Sequence, residues 1–438
     1  MTGRKRDRGA RTGRRLGAAC AATALVVSVC GVGTGAAADA NSAGGGRTVL
    51  ADDSGCTTKK DSPKLADDQQ AVPWEISNAG TSGSAVSGTG KGVTVAIIDT
   101  GIAGSDSQVA HNVVGGKDFT GSGGDYKSDV DGHGTLVASI IAAKKSTRNA
   151  MAGIAPDVRL LIYREAGCNV PKGSDEATLA KAIDQAVSDG AQIINVSQDG
   201  YTANSELKKA VVNAFQKNVL IVASAGNNGD KAAEDNGVNY GINPVMYPAA
   251  YAPYLLAVGA SSTDNSVPSF SETGPYISVT APGDAIGGLF PDGKIWTISG
   301  TSFAAPYVSA VAALLLEKHP SWTVDTLIKV LEATASGTGS WSSSAGWGSV
   351  KPLQALEADP NRLTKLFGAG PNADGPAQAK PVNHGAAMAP YVDAAPAQTV
   401  VNQHKGAYIA LGSSTLAVIV MLAGVFIARD ARRRRLTT

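Results

Sequence analysis

Val95-Ala96-Ile97-Ile98-Asp99-Thr100-Gly101 reads as a short, almost unbroken apolar strand that ends on a carboxylate and then turns. A strand apolar at successive positions is buried on both faces, which points to a parallel sheet rather than a half-solvated antiparallel one. A carboxylate at the C-terminal end of such a strand stands where α/β sheets place their functional groups. Outward from this stretch the pattern recurs. Residues 93–98, 158–163, 192–196, 219–223 and 255–258 are strand candidates. Between two of them Leu179, Ile183, Ala186 and Val187 fall on one helical face; Ser174 can cap that helix, Asp175 and Glu176 suit its first turn, and Gly190 can end it. Repeated βα units of this kind predict an α/β domain over residues 90–358, with a mainly parallel sheet covered by helices on both faces.

Two further stretches supply the partners a carboxylate needs for nucleophilic catalysis. Asp131-Gly132-His133-Gly134-Thr135 offers an imidazole, the side chain that titrates closest to neutral pH, with small residues on either side. Leu136, Val137, Ile140 and Ile141 then give a helical apolar face, so His133 should open a buried helix. Gly300-Thr301-Ser302-Phe303-Ala304-Ala305-Pro306 places a serine at the start of another apolar helix, whose positive dipole end and free amides suit a developing anion. Pro306 lacks an amide hydrogen and is read as part of the first turn, where none is needed. Ser302 is a weak nucleophile that needs a base, His133 can be that base, and Asp99 can hold the ring in one tautomer.

The order Asp99, His133, Ser302, with these flanking residues, resembles the subtilisin-like (subtilase) serine proteases. The resemblance implies their three-layer fold and an Asp-His-Ser triad that cleaves peptide bonds through an acyl-enzyme. It also implies that Asn227, in Ala223-Ser224-Ala225-Gly226-Asn227-Asn228-Gly229, donates its side-chain amide to the oxyanion together with the Ser302 backbone amide. Residues Ser197, Gln198, Asp199 and Gly200 match the segment that pairs with an extended substrate, and Ala223, Ser224, Ala225 and Gly226 form the opposite wall of the specificity pocket. Gln198-Asp199 departs from the family's Ser-Leu-Gly and is more polar. The small wall residues lead to the expectation of small or medium apolar side chains before the scissile bond.

The ends of the chain carry targeting signals. Residues 1–38 read as an export signal: a basic start from Arg4 to Arg15, an apolar run, then Ala36-Ala37-Ala38. Residues 39–89 form a polar, Gly/Ser-rich extension with an apolar patch at Val72-Pro73-Trp74, and 359–406 a Pro/Ala/Gly-rich linker. Residues 407–428 are long and apolar enough to be a transmembrane helix, and the basic tail 429–438 marks the cytoplasmic side. The catalytic domain is therefore expected outside the cell membrane on a single-pass anchor. With the basic start (+6) and tail (+4) set aside, a formal net charge of +1 leaves −9 on the remainder, so nucleic acid is not an expected partner. Cys20 and Cys30 fall in the export signal, leaving Cys56 and Cys168, which are expected to pair as a disulfide in an oxidising compartment. No cofactor is expected; no His/Cys cluster has metal-ligand spacing, and structural calcium stays open.

This order of segments resembles the mycosins, membrane-anchored subtilases of type VII (ESX) secretion. That likeness implies a protein or peptide substrate and a secretion membrane complex as partner. Two alternatives stand beside it: a stand-alone surface subtilase that processes exported peptides, and a mainly structural stabiliser of a secretion complex.

Overall fold

A computed structural model describes residues 70–79, 87–104, 108–121, 123–167, 176–235, 237–336 and 340–359. The expected export signal, Cys56 and Cys168, Ser174 and Asp175, most of the extension, nearly all of the linker, the segment 407–428 expected to span the membrane and the basic tail lie outside these residues. Among the described residues no helix is long and apolar enough to cross a membrane.

In chain order the elements are α1 (Trp74–Asn78), β1 (Thr94–Asp99), β2 (Val113–Asp118), α2 (His133–Ala142), β3 (Arg159–Arg164), α3 (Glu176–Ser188), β4 (Ile193–Val196), α4 (Ser205–Gln216), β5 (Leu220–Ser224), β6 (Ala232–Asp235), β7 (Val238–Ile242), β8 (Leu256–Ser261), β9 (Val279–Pro282), β10 (Ile286–Leu289), β11 (Ile295–Ile298), α5 (Thr301–Lys318), α6 (Val324–Ala333) and α7 (Pro352–Glu357). Seven strands form one sheet in the order β2-β3-β1-β4-β5-β8-β9, and every neighbouring pair is parallel. The expected strands are all present, displaced by one residue toward the C-terminus at most of their boundaries.

Alternate residues of β3, β1, β4, β5 and β8 enter two cores, which is why these strands are almost continuously apolar. Val95 and Ile97 of β1 join α2, α5 and α6 in one core; Ala96 and Ile98 join α3 and α4 in the other. α5 runs across the first face with Thr301 through Leu316 all buried, as its all-round apolar sequence requires. α3 buries Leu179, Ile183 and Ala186 as expected, and Gly190 follows it at φ 82°.

β2 and β3 lie on one side of β1, and β4, β5, β8 and β9 on the other, so the strand order reverses beside β1. The carboxyl ends of β1, β4 and β5 therefore flank the crevice where a doubly wound sheet binds ligands. α1, inside the stretch read as a polar extension, is packed onto this body. Ile76 enters the core, Trp74 Nε1 donates to the carbonyls of Asp284 and Ala285, and Glu75 Oε1 accepts from the Gly287 amide at 3.1 Å.

Candidate active site

Asp99 ends β1 and His133 begins α2, and the turn that leads into α2 is tied to the end of β1 by one carboxylate. Asp129 Oδ1 accepts from Thr100 Oγ1 (2.9 Å) and the Gly132 amide (2.8 Å), and its Oδ2 accepts from the Thr135 amide (2.8 Å) and hydroxyl. Thr100 Oγ1 in turn accepts from the Gly134 amide at 2.8 Å. Both flanking glycines are needed. Gly132 sits at φ 91°, and a β-carbon on Gly134 would collide with the carbonyl oxygen of Gly101.

Within this frame His133 Nδ1 lies 2.7 Å from Asp99 Oδ1, with both side chains fully buried. A carboxylate only accepts, so Nδ1 carries the proton and Nε2 holds the lone pair of the neutral ring. Nε2 is buried and makes no hydrogen bond. Burial opposes a charge on this ring, but the carboxylate of Asp99, with Asp131 and Asp129 beyond it, outweighs burial and lifts His133 above the ordinary imidazole range. The ring packs on Phe303, with centroids 5.1 Å apart, so the residue after Ser302 sits against the imidazole.

Ser302 is the second residue of α5, so its amide belongs to the first turn and has no intrahelical acceptor. Asn227 follows β5, and its Oδ1 accepts from the Thr301 amide at 2.8 Å and from Thr301 Oγ1 at 3.2 Å. The carbonyl end of the Asn227 amide is thus engaged at the mouth of α5, and Nδ2 is the end left to act as donor. Thr301 Oγ1 also accepts from the Gly226 amide at 3.1 Å, so the segment after β5 and the helix start are joined.

The residues expected to bind substrate divide into groups. Ser197 turns its hydroxyl to the Ser302 carbonyl (2.6 Å). Gln198 and Asp199 are buried, and the Gly200 amide and carbonyl are paired with Tyr247 at 2.9 Å each way. Ala223 and Ser224 end β5, and Ala225 and Gly226 carry the chain on to Asn227. Two residues at this wall have no local sequence signal. A β-carbon on Gly226 would stand 2.5 Å from both Met246 Cγ and Glu272 Oε2, so these two side chains lie directly against it. Burial, reinforced by the nearby charge of Asp199, pushes the Glu272 carboxyl up to about 9. Sequence distance hides them: Met246 lies in the segment before β8 and Glu272 in the segment after it, and only the fold brings both to Gly226.

The profile of the Subtilase family matches residues 90–348. Subtilisin DY of Bacillus licheniformis is 35% identical over 250 residues, which cover 57% of this chain and 86% of that protein. Mycosin-1 of Mycobacterium tuberculosis is 34% identical over 310 residues, covering 61% of this chain and 69% of that one. Among solved structures, MycP1 from the ESX-1 type VII secretion system superimposes with a TM-score of 0.60 at 30% identity, covering 68% of this chain and 89% of that one. The MycP3 protease from the type VII (ESX-3) secretion system gives 0.58 at 32% identity, covering 68% and 92%.

Proposed function

Because this chain belongs to the Subtilase family and is a peptidase related to the mycosins, we propose that it is a membrane-anchored extracytoplasmic serine endopeptidase in which Asp99, His133 and Ser302 form the triad. The observation that carries this reading is the state of His133: Nδ1 is held by Asp99 at 2.7 Å, and the buried Nε2 is left open beside the start of α5.

In this reading His133 Nε2 takes the Ser302 hydroxyl proton as Oγ attacks the scissile carbonyl carbon, and Asp99 stabilises the imidazolium that forms. The carbonyl oxygen becomes an anion that accepts from Asn227 Nδ2 and the Ser302 amide. Collapse of this intermediate breaks the C–N bond. The leaving amine takes the proton from His133, and water then releases the acyl group by the same steps in reverse. Substrate backbone pairs beside Ser197–Asp199, because the Gly200 amide is already engaged by Tyr247. The test is direct. The full-length protein in mild detergent should hydrolyse peptides and react covalently with a fluorophosphonate at Ser302, and Ser302→Ala should abolish both. Labelling at another serine would overturn the assignment.

Association with type VII secretion is proposed from the likeness to Mycosin-1, MycP1 and MycP3. The anchor is proposed from the apolar segment 407–428 and the arginines after it, and the Cys56–Cys168 disulfide from the exported setting. Native mass of the protein extracted from its own membranes decides between readings. Co-migration with secretion ATPase and pore subunits supports the type VII assignment, and migration as a single chain supports a stand-alone surface protease. If Ser302→Ala leaves secretion intact but stops processing, the structural and proteolytic roles are separable.

A further inference from the structure

α5 begins at Thr301, so Pro306 is its sixth residue and lies beyond the first turn to which the sequence assigned it. In an α-helix the amide of residue i donates to the carbonyl of residue i−4. Pro306 has no amide hydrogen, and the carbonyl it would have served is that of Ser302. A buried carbonyl without a donor is costly.

The vacancy is filled from the side by the sheet. Ser197 Oγ donates to the Ser302 carbonyl at 2.6 Å. Asn195 Nδ2 donates to Ser197 Oγ at 2.8 Å, and Ser309 Oγ donates to Asn195 Oδ1 at 2.9 Å. The Ser197 hydroxyl therefore accepts on one side and donates on the other, which settles the direction of its proton. The relay starts and ends on α5 and runs through β4 and the residue after it. All four residues are at most 3% exposed.

We propose that Ser197 is a positioning residue for the nucleophile: held by Asn195 and Ser309, it supplies the helix rung that Pro306 removes, fixes the Ser302–Phe303 peptide and so sets the direction of the Ser302 side chain. The consequence is mechanical. Anchoring of the first turn of α5 passes from the helix itself to the strand whose continuation lies beside the substrate, so substrate alignment and nucleophile alignment share one support. This inference rests on Ser302 being the nucleophile.

The experiment is a double-mutant comparison in the full-length, detergent-purified protein, using Ser197→Ala, Pro306→Ala and the two together. Ser197→Ala should lower kcat, and the rate of fluorophosphonate labelling at Ser302, by about tenfold to a hundredfold. KM should move by no more than about twofold, because the loss is one of alignment rather than of substrate contact. Adding Pro306→Ala restores an amide that can serve the Ser302 carbonyl from within the helix, and most of the loss should be recovered. An equal loss with and without Pro306→Ala, or a loss that falls on KM, overturns the inference. If Ser197→Ala alone fails to fold, the same comparison is read in melting temperature: the double variant must regain folding, and failure to do so overturns it. If the wild-type protein does not label at Ser302, the protease assignment fails, and the melting-temperature comparison still decides the hydrogen-bond relay.

Discussion

Asp99 uses a single oxygen for two jobs, accepting from the Thr100 amide and from His133 Nδ1 at 2.7 Å each. Asp99→Asn keeps the shape but puts a donor or a neutral oxygen against the ring, and should lower kcat by on the order of 10⁴ with little change in fold. Asn227→Ala removes a donor while freeing the Thr301 amide, and should cost about 10²–10³ in kcat. The pH profile gives a finer test. A base held above the ordinary imidazole range is freed of its proton only at higher pH, so the ascending limb of kcat/KM should lie above the usual histidine value. Asp129 contributes to that lift through its charge, so Asp129→Asn should move the limb downward as well as loosen the turn it ties; an unmoved limb would leave Asp129 a purely structural knot.

At the scale of elements, the central strands, α2, α3 and α5 were legible because each has a periodicity that a short window can hold. The pairing of Asp99 with His133 was legible for a related reason: glycines flank these residues where the backbone must approach closely, as at Gly134. The start of α5 was placed too late, since nothing local distinguishes a proline in the first turn from one at the sixth residue. α1 was not legible as a helix. It has five residues, and its partners, the carbonyls of Asp284 and Ala285 and the amide of Gly287, are more than 200 residues away. It nonetheless belongs to the body. Ile76→Ala should destabilise the protein by about 2–5 kcal/mol in urea unfolding, because Ile76 is 1% exposed within the main core. An effect below about 0.5 kcal/mol would mean that α1 is only loosely laid on the surface.

Over the whole molecule, several buried carboxyls share one sign of effect. Burial pushes Glu75 up to about 8, burial and then Asp199 push Glu272 up to about 9, and burial and then Asp325 push Glu332 up to about 8. Each keeps its proton in the folded protein at pH values where the unfolded chain has released it. Unfolding therefore releases protons, and stability falls as pH rises from about 4.5 toward 8 or 9. The melting temperature should be higher at pH 5.5 than at pH 8.5, and Glu75→Gln together with Glu332→Gln should flatten that slope. A melting temperature that rises with pH across this window would show that these carboxyls are ionised in the folded state.

The wholly parallel sheet also governs when activity can arise. No neighbouring pair of its strands is joined by a tight hairpin, and the order β2-β3-β1-β4-β5-β8-β9 leaves β1 waiting for β3 and β4 before it has either neighbour. α5, which fills one face of that sheet, begins only at Thr301. In a chain threaded N-terminus first through a pore, Asp99 and His133 emerge long before the serine and the helix that complete them. The proposed site is therefore complete only once α5 has followed, near the end of that passage.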